Sequence, residues 1–206
     1  MKKRAHGSMG LPCAFDFDHS FDTMFANLAP RFCQQCGAAK IEFTIPHGDD
    51  RARHVCAECG HIHYLNPKVV VGTLPVWEDK ILLCKRAIEP RYGKWTLPAG
   101  FMEEGETLEE GAARETLEEA NARVTVESVY VTLSLPQISQ VYMLFLARLH
   151  DLQFGAGTES LEVRLFAESE IPWDEIAFRT ISFALRKYYA DRVTGVFVPV
   201  MDKIVH

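Results

Sequence analysis

GFMEEGETLEEGAARETLEEANA, residues 100–122, is the most informative segment of the chain. A high density of glutamate is by itself uninformative, because a charged helix face is ordinarily just solvated. Spacing carries the information. Thr107 and Glu110 form an S/T-x-x-E capping box that starts a helix, and Asn121 is able to take the left-handed turn that ends one. At about 100° per residue, Ala112, Ala113, Thr116, Leu117 and Ala120 fall on one side, and Glu115, Glu118 and Glu119 share an arc on the other. One face is expected to pack while the other holds three carboxylates within reach of one another. Like charges three and four residues apart cost an isolated helix a few tenths of a kcal/mol per pair, about 0.2–0.5, so the cluster has no local purpose. A hard divalent cation supplies one: Mg²⁺ or Mn²⁺ takes oxygen ligands, keeps several waters and binds through a few carboxylates plus substrate phosphates. Arg114 lies beside the cluster, and Glu106, just ahead of the helix, is placed to pair with it and fix the loop to the helix.

Upstream, PKVVVGTLPVWEDKILLCKRA reads as strand (69–76), turn (77–80) and strand (81–85), rich in the Val, Ile and Leu of a buried sheet. Cys84 suits a small core position. A glycine-containing loop, EPRYGK, then leads to a short strand at 95–97 and a Pro98-Ala99-Gly100 turn into the acidic segment. Downstream, VTVESVYVTLSL and VYMLFLARL form two long strands joined by PQISQ, a loop covers 150–160, and a strand covers 161–166. SEIPWDEIAF is expected to open a final helix running through 181–189, and the apolar tail GVFVPVMDKIVH to pack at an edge or a subunit contact.

Closer to the start stand Cys33-x2-Cys36-Gly and, 19 residues later, Cys56-x2-Cys59-Gly. Two C-x-x-C-G knuckles at this separation match a structural Zn²⁺ site of four thiolates, which leaves no open position for chemistry. His54, His61 and His63 lie close by, but four cysteines already complete the shell. The ribbon raises nucleic-acid binding as a rival function. Its intervening residues mix both charges without a basic run or interleaved aromatic platforms, and the net charge of -6 argues against a general polyanion binder, so nucleic acid is not the expected partner.

The 206 residues are enough for one good-sized core with a small attached module. No run approaches the roughly 18 apolar residues that span a bilayer, and the start lacks a secretory h-region, so no membrane association and a cytoplasmic location are expected. Gly7-Ser8-Met9 looks like vector junction sequence, and the first nine residues are left out of the fold reading. Residues 10–30 alternate aromatic and acidic residues without a clean period, and Cys13 among them reads as a lone thiol. The expected organisation is an extension at 1–30, a zinc ribbon at 31–65, a catalytic domain at 66–190 and a tail at 191–206.

The acidic stretch resembles the Nudix box, G-x5-E-x7-R-E-U-x-E-E-x-G-U with U aliphatic. Gly100, Glu106, Arg114, Glu115, Glu118 and Glu119 stand at the required positions, whereas Thr116 replaces an aliphatic residue, Asn121 replaces glycine and Ala122 is small. The resemblance implies an α/β fold, the α/β/α Nudix sandwich with a mixed sheet, here preceded by the four-Cys ribbon. It also implies hydrolysis of a nucleoside diphosphate linked to another group. Glu115, Glu118, Glu119 and the Gly100 carbonyl would hold Mg²⁺ or Mn²⁺, Glu106 and Arg114 would brace them, and a carboxylate on a late loop would orient the water. Glu159 and Glu162 are the two placed for that role, with Glu162 preferred because it leads into the strand VRLF.

The layout CQQCG, CAECGHIHYLNPKVVVG, LLCKRAIEPRYGKWTLPAGFMEEGET and ESLEVRLFAESEIPWDEIAF is similar to a zinc-ribbon Nudix group that includes FAD pyrophosphatases and ADP-ribose pyrophosphatases. It implies cleavage of FAD to AMP and FMN, or of ADP-ribose to AMP and ribose 5-phosphate, by a homodimer. The alternatives are an NADH or NAD-cap pyrophosphatase, whose S-Q-P-W-P-F-P-x-S segment is replaced here by LSLPQISQVYMLF, and a non-catalytic nucleotide- or RNA-binding protein. Arg86, Arg91 and Lys94 are candidates for the diphosphate, and Tyr92, Trp95, Phe101 or Tyr142 for stacking on adenine or flavin.

Overall fold

The computed structural model describes residues 29–205. The expectations for the N-terminal extension therefore fall outside the described residues. The first unit is a three-stranded antiparallel sheet of β1 (Ile41–Thr44), β2 (Arg53–Cys56) and β3 (Ile62–His63). Its cysteine knuckles end in Gly37 and Gly60, both at positive φ, where each glycine N–H donates to the carbonyl of Cys33 or Cys56.

The second unit is a mixed sheet with a helix on each face. In chain order it comprises β4 (Lys68–Trp77), β5 (Lys80–Arg86), β6 (Trp95–Thr96), β7 (Ala99–Phe101), helix α1 (Leu108–Ala120), β8 (Val124–Leu135), β9 (Gln140–Leu149), β10 (Ser160–Phe166), helix α2 (Arg179–Thr194) and β11 (Val200–Lys203). The strand order is β10-β5-β4-β9-β8-β11, with β6 on β5 and β7 on β4. β4 runs parallel to β9 and β11 parallel to β8, while the remaining pairs are antiparallel. β4 is buried through most of its length, which its unbroken Val and Leu run requires of a central strand. Alternation along the strands sorts the core into two layers. Val71 and Phe145 face α1 through Ala112, whereas Leu74, Leu133 and Leu144 face α2 through Ile181, Ala184 and Leu185.

Three features differ from the sequence-based expectation. SEIPWDEIAF is two short 3-10 turns, and α2 begins only at Arg179. Long-range pairing wins there: Ile176 bridges Trp95, and the Ala177 N–H donates to the Trp95 carbonyl at 2.8 Å, so the backbone is extended just where a helix would have begun. Leu117 is half exposed, and the buried arc of α1 is Gly111, Ala112, Glu115, Thr116, Glu119 and Ala120. Two of the three carboxylates therefore lie on the packed side. PQISQ contains a 3-10 turn at Pro136–Ile138 that places Ser139 in the left-handed region. The tail packs at the sheet edge as β11, and Phe197 stacks on Tyr188 at 5.4 Å.

Candidate active site and zinc centre

The helix that carries the carboxylates starts where the capping box places it. The Thr107 hydroxyl accepts from the Glu110 N–H, and the Glu110 carboxylate accepts from the Thr107 N–H at 2.8 Å. It stops at Asn121, whose φ of 48° is left-handed. Within these limits Arg114 organises the acidic groups. Its Nε and Nη2 donate to the two oxygens of Glu106 at 2.9 and 2.8 Å, Nη1 donates to Glu115 at 2.8 Å and Glu118 at 3.1 Å, and Nη2 also reaches the Phe101 carbonyl. The bidentate pairing holds the Glu106 carboxyl down at about 2, and a further bond from the Glu103 N–H adds to the effect. Loop 101–106 is thereby fixed to the middle of α1.

Glu119 has the opposite environment. It is 6% exposed, and its Oε2 has no hydrogen-bond partner among the described residues. Burial, and then the charge of Glu115, push its carboxyl up to about 8, although the Arg86 guanidinium opposes this. Burial also raises Glu115, against the pull of Arg114. A buried carboxylate with an orphaned oxygen is costly unless a cation completes it. Gly100 lies directly against Glu115: a Cβ there would come 2.4 Å from Glu115 Oε2, so a larger residue would displace the carboxylate from its present position. Carboxylate oxygens such as those of Glu115 and Glu119 are the donor type that a hard cation such as Mg²⁺ or Mn²⁺ takes.

These groups form one wall of a cavity of about 590 Å³, lined also by Arg86, Glu103, Gln140, Tyr142, Glu159 and Phe178. Of the residues proposed from sequence for substrate, Arg86 and Phe101 are in this lining, and Arg91 and Lys94 are not. Arg91 is exposed in the turn after β5, and Lys94 Nζ donates to the Asp174 carbonyl at 3.2 Å. Arg86 is held by the Pro90 carbonyl and lies over the Phe178 ring at 5.1 Å. Of the aromatic candidates Tyr142 lines the cavity, Tyr92 is exposed, and Trp95 is buried against Phe166. Of the two late carboxylates Glu159 is in the lining, whereas Glu162 stands outside it on β10 opposite Lys85. Gln140 and Phe178 carried no signal in the sequence. Gln140 looks like any residue of a turn-strand junction, and Phe178 reaches the site only through the extended path ahead of α2.

In the ribbon, the sulfurs of Cys33, Cys36, Cys56 and Cys59 all lie within 4.8 Å of one another, with Cys33–Cys59 and Cys36–Cys56 at 3.6 Å. A tetrahedron with Zn–S bonds of about 2.3 Å has S···S edges of about 3.8 Å, so the cluster fits Zn²⁺. The three histidines supply none of this cluster.

Comparison with known proteins agrees with both units. The NUDIX domain family model matches residues 66–188, and the Nudix N-terminal model, a zinc ribbon, matches residues 31–65. A crystal structure of a NUDIX hydrolase from Nitrosomonas europaea superposes with a TM-score of 0.81 at 59% identity, covering 84% of this chain and 98% of that one. The NAD-capped RNA hydrolase NudC of Photobacterium profundum is 32% identical over 146 residues, 68% of this chain and 51% of that protein. The ADP-ribose pyrophosphatase of Methanocaldococcus jannaschii is 33% identical over 113 residues, 53% of this chain and 67% of that protein. The chain thus spans about half the length of the first of these curated relatives. Among the described residues no helix is long and apolar enough to cross a membrane.

Proposed function

This chain belongs to the Nudix family, with that family's zinc ribbon ahead of the hydrolase fold, and from that membership we propose that it hydrolyses the diphosphate linkage of an adenosine diphosphate derivative. The observation that carries the reading is Glu119: a buried carboxylate with an oxygen unpartnered among the described residues, near Glu115, which abuts Gly100, on the wall of a cavity large enough for a nucleotide. Glu115, Glu118, Glu119 and the Gly100 carbonyl would hold the divalent cation. When bound, it neutralises phosphate charge and acidifies a water. Arg114 and Glu106 fix the spacing of these ligands. Glu159, which also lines the cavity, takes the proton from the attacking water, Arg86 faces the diphosphate, and Tyr142 and Phe178 offer ring faces to the base. Water oxygen bonds to one phosphorus as the bridging P–O bond breaks, leaving AMP and the phosphorylated second group.

ADP-ribose and FAD are the substrates we favour, both offering AMP in diphosphate linkage. Similarity to an ADP-ribose pyrophosphatase supports ADP-ribose, and similarity to the NudC NAD-capped RNA hydrolases favours an NAD-capped RNA as the second reading. Zn²⁺ in the ribbon is structural, and the chain is proposed to act in the cytoplasm and, as the family resemblance implies, as a homodimer. The test is a panel of ADP-ribose, FAD, NADH and NAD-capped RNA at fixed Mg²⁺, ranked by kcat/KM. Cleavage of ADP-ribose or FAD ahead of the others is expected, with Glu118→Gln lowering turnover by several orders of magnitude while fold and zinc content persist. Failure to cleave any of the four, or full activity of Glu118→Gln, would remove the reading.

A further inference from the structure

Asn121 stands where the Nudix box carries glycine, in a backbone conformation that glycine adopts without strain. Its side chain is nevertheless engaged: Nδ2 donates to the carbonyls of Ala156 at 3.0 Å and Gly155 at 3.3 Å. The same loop takes up the last free carbonyls of α1. The Gly155 N–H donates to Ala120 O at 2.8 Å, and the Gly157 N–H donates to Glu119 O at 3.0 Å. The approach is so close that a Cβ on Gly157 would fall 1.7 Å from the Glu118 carbonyl oxygen. Two residues further on the chain delivers Glu159 to the cavity, and its carbonyl accepts from the Ala87 N–H at 2.8 Å. The loop thus caps the helix that bears the glutamates, with Asn121 supplying the side-chain clasp.

We infer that Asn121 is a positioning residue for Glu159: its amide fastens residues 155–157 to the C-terminal end of α1, so that Glu159 and the three helix glutamates are carried on one rigid unit. The inference rests on Glu159 being the group that takes the water's proton. A glycine at 121 keeps the left-handed cap and both backbone bonds, and removes only the clasp.

Two measurements test it. In the protein without added divalent metal, Asn121→Gly is expected to speed amide exchange at Gly155 and Gly157 by about tenfold, the scale of one lost hydrogen bond, with the rest of α1 unchanged. With ADP-ribose and Mg²⁺, Asn121→Gly should lower kcat by about tenfold with KM little changed, and should cost nothing further in a Glu159→Gln background. Unaltered exchange at 155–157 would overturn the clasp. An equal loss of kcat in both backgrounds would overturn its action through Glu159. If neither protein turns over ADP-ribose, the proposed substrate fails while exchange still decides the clasp.

Discussion

The hydroxyls of Thr73 on β4 and Thr116 on α1 lie 2.6 Å apart in the core, and both residues are fully buried. Thr116 Oγ1 also donates to the Ala112 carbonyl at 2.8 Å, so its single proton is committed and Thr73 must be the donor between the two. This accounts for threonine at a box position that otherwise asks for an aliphatic residue: the strand beneath supplies the matching hydroxyl.

An asymmetric mutational cost follows. Thr116→Val strands the Thr73 donor in the core and should destabilise by about 1–3 kcal/mol. Thr73→Val removes a donor from an oxygen whose own proton remains satisfied, and should cost less than about 1 kcal/mol. The double valine variant should recover most of the Thr116→Val loss. Urea unfolding midpoints of the three proteins check this order.

Glu119 makes the metal-free protein sensitive to alkali. Its folded value is raised to about 8 from an ordinary 4.5, so the folded state binds a proton that the unfolded state has released. The favourable contribution is fully present below 4.5 and is lost as pH rises through about 8. Stability without divalent metal should therefore fall across that window, Glu119→Gln should flatten it, and Mg²⁺ should restore stability at the alkaline end. Denaturant titrations from pH 5 to about 9 with and without Mg²⁺ measure the effect; an unchanged slope in Glu119→Gln would assign it elsewhere.

Glycines 155 and 157 should respond differently to alanine. Among the described residues a Cβ at Gly155 meets nothing within 4 Å, whereas one at Gly157 meets the Glu118 carbonyl. Gly155→Ala should shift stability by no more than about 0.5 kcal/mol. Gly157→Ala should push the loop off the helix end and lower kcat together with stability. Parallel thermal melts and turnover assays separate the two.

Cys36→Ser should release zinc and unfold the ribbon, because the four-sulfur cluster is what links its two knuckles. Metal analysis is expected to fall from one zinc per chain to near zero. Retention of stoichiometric zinc would remove the four-thiolate assignment.

The features legible in the residues alone are local. The capping box at Thr107 and Glu110, the left-handed stop at Asn121, the two C-x-x-C-G knuckles and the Val-rich β4 are encoded within a turn or a strand of the residues concerned, and all four are present as expected. The remaining features depend on partners far along the chain. Burial of Glu115 and Glu119 follows from which arc of α1 packs against the sheet, where Ala112 meets Val71 and Phe145. The choice of Glu159 over Glu162 for the cavity follows from the register of β10 on β5, which shifts between Ser160 and Glu162. Arg86 enters the site while Arg91 and Lys94 stay outside because β5 ends at Arg86 and the chain then turns away. The use of the Asn121 side chain required knowing that residues 155–157 cross the helix end. Short-range hydrogen bonding and hydrophobic periodicity can be read one turn at a time, whereas the direction in which a charged side chain points is set by strands that meet only when the sheet closes.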